Sequence, residues 1–131
     1  MPLMSGIAHG VDMVDCQRLK LAIDRHGRRF VERVFTAAEQ QYAMGKKREI
    51  EHLAGRFAAK EAVLKLLGTG LIGKMKWTDV EVINESTGQP KVRLAGECLA
   101  LAQSKKLGEI QISISHIDTH AIASAVALIG D

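Results

Sequence analysis

Ala54-Gly55-Arg56-Phe57-Ala58-Ala59-Lys60-Glu61-Ala62-Val63-Leu64-Lys65-Leu66-Leu67-Gly68-Thr69-Gly70 reads as the latter part of a long helix. The helix runs from about Arg48 to Leu67, and Gly68 supplies a residue able to turn left-handed at its end. At about 100° per residue, Glu61 shares a stripe with Ile50, Ala54, Phe57 and Leu64, the face that should meet a core. An inward carboxylate needs a proton, a cationic partner or a metal. Lys65, one turn on, is the ordinary partner.

Outward from this helix, the pattern is mixed. Ile7 to Val14 alternates as a strand does, with Ile7, His9, Val11 and Met13 on one side and Ala8, Gly10, Asp12 and Val14 on the other. Asp15 can cap a following helix that carries Leu19 and Ile23 and stops near Gly27. Thr36-Ala37-Ala38-Glu39 has the form of a capping box, which predicts a helix from about Ala37 to Met44 with Gly45 after it. Trp77 to Asn84 and Lys91 to Leu94 read as a hairpin around Glu85 to Pro90, and Gly96 to Lys106 as a helix. Ile110, Ile112 and Ile114 alternate with polar residues up to His116, and His120 to Ile129 alternates with small alanines. The order predicts an α+β fold in a single domain, residues 1–131: a mainly antiparallel sheet packed against a long central helix and shorter helices.

Composition narrows the function. The chain has 131 residues, 47% hydrophobic and 25% charged, enough for one core without staples. No run approaches a membrane span, Met1 to Ser5 does not resemble a secretory leader, and Cys16 and Cys98 are two and far apart, so a cytoplasmic, reduced protein is expected. The net charge of +3 is concentrated: Arg18, Lys20, Arg25, Arg28, Arg29 and Arg33 face only Asp24 and Glu32 between positions 18 and 33. Such a patch attracts acidic protein, phosphate or nucleic acid, or is a solvated helix face. With only five aromatic residues, a base-stacking platform is poorly supplied.

Asp12, near a strand end, and Glu61 form a candidate pair for a hard divalent cation such as Mg2+, which takes one or two carboxylates and completes its shell with water and phosphate oxygens. Spacing alone leaves open that Asp12 is a turn residue and Glu61 pairs with Lys65. His116 closes a strand and can donate to a phosphate or play a structural part. Its four-residue gap to His120 lacks the helix and glutamate of a zinc protease, and Gly68-Thr69-Gly70 is no phosphate-binding P-loop.

Gly10-Val11-Asp12-Met13-Val14-Asp15, Arg29-Phe30-Val31-Glu32-Arg33-Val34-Phe35-Thr36, Arg56-Phe57-Ala58-Ala59-Lys60-Glu61-Ala62 with Gly68-Thr69-Gly70, the turn from Asn84 to Pro90, and Ser113-Ile114-Ser115-His116 come in an order that resembles the holo-[acyl-carrier-protein] synthase family. These are the small bacterial members of the 4'-phosphopantetheinyl transferase superfamily, and the resemblance covers nearly the whole chain. It implies transfer of 4'-phosphopantetheine from coenzyme A to a serine of apo acyl carrier protein, in support of fatty acid biosynthesis. It further implies Mg2+ on Asp12 and Glu61, with Lys65 assisting catalysis, and coenzyme A contacts from Arg56, Lys65, Gly68, Thr69 and His116. Arg18, Arg29 and Arg33 would receive the carrier protein, and the family's habit is a homotrimer with sites between subunits, so that His116 lines the pocket of a neighbour. Neither nucleic acid nor membrane is an implied partner. Ala8-His9 stands before Gly10 where the family commonly has Gly-Ile, and Ile117 follows His116 where a small polar residue is frequent; neither removes a proposed metal ligand.

Overall fold

A computed structural model of the chain describes residues 4–130. Strand β1 (Met4–Asp15) leads into helices α1 (Cys16–His26), α2 (Arg28–Val34) and α3 (Ala37–Ala43), and then the long α4 (Glu49–Leu67). A single 3-10 turn (Trp77–Asp79) introduces the hairpin β2 (Val80–Asn84) and β3 (Pro90–Leu94), followed by α5 (Gly96–Ser104), β4 (Gln111–His116) and β5 (His120–Gly130). The α+β order is the expected one, but the hairpin forms its own two-stranded sheet beside the three-stranded antiparallel sheet β1-β5-β4.

Local chemistry accounts for the boundaries. Asp15 caps α1 by accepting from the Gln17 and Arg18 amides at 2.9 and 3.1 Å, and Gly27 ends it at a φ of +64°. The capping box of α3 is complete, with Thr36 and Glu39 each accepting the other's backbone N–H. Gly68, at a φ of +89°, returns its amide to Leu64 and Lys65 and closes α4 left-handed. Helix α2 has no caps of its own beyond Gly27 and Phe35, so its seven residues carry no strong sequence signal.

The central strand β5 explains the packing. Ala121, Ala123, Ala125 and Ala127 are all buried, and their small side chains let α4 lie close on that face of the sheet. On β1 the matching face is the one with Ala8, Gly10, Asp12 and Val14, because Ile7, Val11 and Met13 are exposed. The greasier side of β1 therefore faces away from the core. Together with Ile122, Val126 and Leu128 it forms an exposed apolar face on the outside of the sheet.

Helix α4 is not a one-sided helix. Leu53, Ala54, Gly55, Arg56, Ala58, Ala59, Lys60, Ala62, Val63, Leu64, Leu66 and Leu67 are buried, which surrounds the axis with sheet on one side and α3, α5 and the hairpin on the others. The stripe argument fails for that reason: Glu61 is partly exposed, and the fully buried charge is its neighbour Lys60. Lys60 Nζ lies 2.7 Å from Glu39 Oε1 and donates to the carbonyls of Trp77, at 3.2 Å, and Val80. Glu39, also fully buried, accepts from the Val82 amide at 2.8 Å and from Thr36. This knot ties α3, α4 and β2 together. Among the described residues no helix is long and apolar enough to cross a membrane.

Candidate active site

Asp12 and Glu61 meet because of Gly10. A Cβ at Gly10 would overlap the Ala62 carbonyl oxygen and stand 2.7 Å from the Leu66 amide nitrogen, so only glycine allows β1 to lie this close to α4. Two residues on, on the same strand face, Asp12 reaches the α4 surface that carries Glu61 and Lys65. Lys65 Nζ donates to Asp12 Oδ1 at 2.9 Å and to the Val11 carbonyl at 3.1 Å. The lysine's partner is therefore Asp12 across the elements rather than Glu61 along the helix.

Burial pushes the Glu61 carboxyl up from its ordinary value, and the Asp12 carboxylate adds to the rise, while Lys65 opposes it. The Lys65 ammonium is pushed up in turn, first by its hydrogen bond to Asp12 and then by that residue's charge. Two crowded carboxylates with one lysine offer hard oxygen ligands that a cation would stabilise. Among the described residues no group of three or more His, Cys, Asp or Glu could hold a metal. Two carboxylates leaving the remaining positions to water and phosphate oxygens fit Mg2+ better than a caged structural metal.

The pair opens on a cleft of about 320 Å³ lined also by Arg18, Leu19, Phe30 and Phe57. Next to it, sharing Phe30, a basic cleft of about 590 Å³ is bordered by Arg25, His26, Arg29 and Arg33. Arg18 thus lies at the carboxylates, and Arg29 and Arg33 beside them.

Arg56 and His116 lie elsewhere, in a smaller cleft of about 190 Å³. Arg56 is almost fully buried, stacked 3.7 Å from the Tyr42 ring centre and bonded through Nη2 to Asn84, while its Nε has no partner among the described residues. His116 Nδ1 lies 2.8 Å from Glu51 Oε1, and its ring meets His52 edge-on at 5.7 Å. Burial pushes the His52 imidazole down, helped by Lys46. Gly68 and Thr69 fall at a third place: the Thr69 hydroxyl bonds to the Gly70 carbonyl, and Thr69 borders a groove with Ile72, Met75 and Leu101. One copy of the chain accordingly gathers Asp12, Glu61, Lys65 and Arg18, sets Arg29 and Arg33 alongside, and keeps Arg56 with His116 and Gly68 with Thr69 apart.

Sequence reasoning missed Tyr42, Glu51, His52 and Asn84 around Arg56, because their contacts join distant segments. Lys60 was not singled out either, although Ala58, Ala59 and Ala62 around it in sequence are the small residues that a closely covered helix carries.

The sequence pattern of the 4'-phosphopantetheinyl transferase superfamily matches residues 8–125. A holo-[acyl-carrier-protein] synthase of Moorella thermoacetica is 46% identical over 120 residues, covering 92% of this chain and 91% of the relative. Among solved structures, the synthase of Neisseria meningitidis superposes with a TM-score of 0.81 at 27% identity, covering 95% of this chain and 98% of its own. The synthase of Bacillus anthracis, solved in complex with CoA (3',5'-ADP), gives a TM-score of 0.75 at 33% identity over 96% of this chain and 97% of its own. The chain belongs to the holo-[acyl-carrier-protein] synthase family of that superfamily.

Proposed function

We propose that this chain transfers the 4'-phosphopantetheine group of coenzyme A to a serine of apo acyl carrier protein, giving holo acyl carrier protein and adenosine 3',5'-bisphosphate. The observation that carries the reading is the Asp12–Glu61–Lys65 arrangement at the β1–α4 contact, in a chain of this family. The serine Oγ attacks the phosphorus bearing the pantetheine arm, and the P–O bond to the adenosine bisphosphate breaks. Mg2+, held by Asp12 and Glu61, would supply charge neutralisation at the pyrophosphate. Lys65, with its side chain half exposed, is free to turn from Asp12 toward the leaving phosphate. Glu61, beside the reacting phosphate, offers the carboxylate that receives the serine proton.

Arg56 and His116 are the groups for coenzyme A phosphate, with Gly68 and Thr69 at the border of its site, and Arg18, Arg29 and Arg33 receive the acidic carrier protein by complementary charge. The exposed face of Ile7, Val11, Met13, Ile122, Val126 and Leu128 supports association of copies into a homotrimer, in which the Arg56–His116 cleft of one subunit completes the carboxylate cleft of another. The enzyme works in the cytoplasm in support of fatty acid biosynthesis; its two cysteines are free and buried, which suits a reducing compartment. The test is mass spectrometry of apo acyl carrier protein after incubation with the protein, coenzyme A and Mg2+. The wild type adds one phosphopantetheine arm and Asp12→Ala adds none; an unchanged carrier mass with the wild type refutes the reading.

A further inference from the structure

We propose that Glu51 is a positioning residue for the coenzyme A site, holding the His116 ring so that Nε2 is the nitrogen presented to the bound phosphate. The inference rests on the functional reading above and adds to it a residue that never touches substrate.

Three observations carry it. First, Glu51 Oε1 lies 2.8 Å from His116 Nδ1, and the Glu51 side chain is only 12% exposed. A carboxylate accepts hydrogen bonds and cannot donate them, so Nδ1 carries the hydrogen and Nε2 is the ring atom left for another partner. Second, the ring is held from its other side: His52 packs edge-on at 5.7 Å, and Tyr42 packs edge-on to His52 at 5.6 Å. Because burial pushes His52 down, it stands there as a neutral wall and not as a competing charge. Third, the approach of the two backbones is fixed one helical turn away. Gly55 lies against Ile114, where a Cβ would come within 2.9 Å of Ile114 Cγ2. Positions 51 and 55 on α4 thus pair with 116 and 114 on β4, and the closeness allowed by Gly55 sets the reach from Glu51 to His116.

The same cleft holds the buried guanidinium of Arg56, whose Nε lacks a partner among the described residues. With Nδ1–H held by Glu51, a ring that carries a second proton on Nε2 donates that N–H to a phosphate oxygen beside the unsatisfied arginine, provided the ring does not turn. Arg48 Nε stands 3.9 Å from Glu51 Oε2 on the open side, a weak exposed contact that leaves Oε1 to the histidine.

The experiment is a kinetic cycle on the full-length protein with Glu51→Ala, Glu51→Gln, His116→Ala and the Glu51→Ala, His116→Ala double variant, each checked for an unchanged melting profile. Glu51→Ala raises the KM for coenzyme A about tenfold with kcat within about twofold, the scale on which partners of ligating groups act. Glu51→Gln, which retains an acceptor oxygen, restores KM to near the wild-type value. In the His116→Ala background, removal of Glu51 has no further effect. ¹⁵N NMR of the histidine rings gives a readout independent of turnover: the wild type shows His116 protonated at Nδ1, and Glu51→Ala loses that preference. If the Glu51 and His116 losses multiply in the double variant, or His116 keeps its tautomer in Glu51→Ala, the proposal is overturned while the functional reading stands. If the wild type binds no coenzyme A, both fall together.

Discussion

Replacing Lys60 with methionine tests the architecture where it is most exposed to failure. Lys60 and Glu39 are both fully buried, with Nζ 2.7 Å from Oε1, and each also serves backbone groups on other elements. Lys60→Met fits the volume but strands the Glu39 charge and deprives the Trp77 and Val80 carbonyls of their donor. Breaking a buried pair from one side costs about 3–5 kcal/mol. For a chain of 131 residues that corresponds to a fall in Tm of about 12–20 °C, taking about 4 °C per kcal/mol. Thermal unfolding followed by circular dichroism reads it directly. The double variant Lys60→Met, Glu39→Gln removes the stranded charge while keeping an acceptor for the Thr36 or Val82 amide, and it recovers much of the loss. A Tm for Lys60→Met within about 4 °C of the wild type, a change of only about 1 kcal/mol, would refute the claim that these charges meet in a dry interior.

Gly10→Ala pushes a methyl into the Ala62 and Leu66 backbone, so β1 must lift from α4; the variant loses Mg2+-dependent transfer and melts well below the wild type, measured by activity and calorimetry. Glu61→Gln acts in opposite directions on stability and activity. Because the folded carboxyl titrates above its ordinary value of 4.5, the native state holds more protons than the unfolded chain between those two values, and stability falls as pH rises through that window. Glutamine has no such loss, so Glu61→Gln in EDTA melts higher than the wild type at neutral pH and matches it well below the carboxylate range, while transfer activity is abolished. Val126→Lys places a charge on the outer sheet face, and sedimentation should show smaller species than the wild type; an unchanged oligomer would put the interface elsewhere.

The elements were legible where local chemistry writes them. The Thr36–Glu39 box, the Asp15 cap, the Gly68 stop and the isoleucine alternation of β4 each follow from neighbours in sequence, and each stands where expected. The Trp77–Asp79 turn, counted with the strand from sequence, precedes β2, since tryptophan and threonine suit either state and Asp79 accepts the Lys76 amide to start a turn. The pairing of Asp12 with Glu61 was legible as a possibility, but not its cause: a glycine signals flexibility in sequence, and Gly10 is needed for space. Periodicity misjudged α4 because a helix covered on all sides has no single stripe, so a fully buried lysine and a half-buried glutamate could not be told apart by angle. The Glu51–His116 bond spans 65 positions, and nothing local at either residue announces the other.

The central claim is that Asp12 and Glu61 together hold the Mg2+ through which coenzyme A is bound. Calorimetric titration of coenzyme A into the protein across a series of Mg2+ concentrations measures it most directly. The account predicts that affinity of the wild type climbs with Mg2+, and that the Asp12→Asn, Glu61→Gln double variant, folded by its melting profile, binds coenzyme A with no dependence on Mg2+. A double variant whose coenzyme A affinity still rises with Mg2+ as the wild type's does would contradict it.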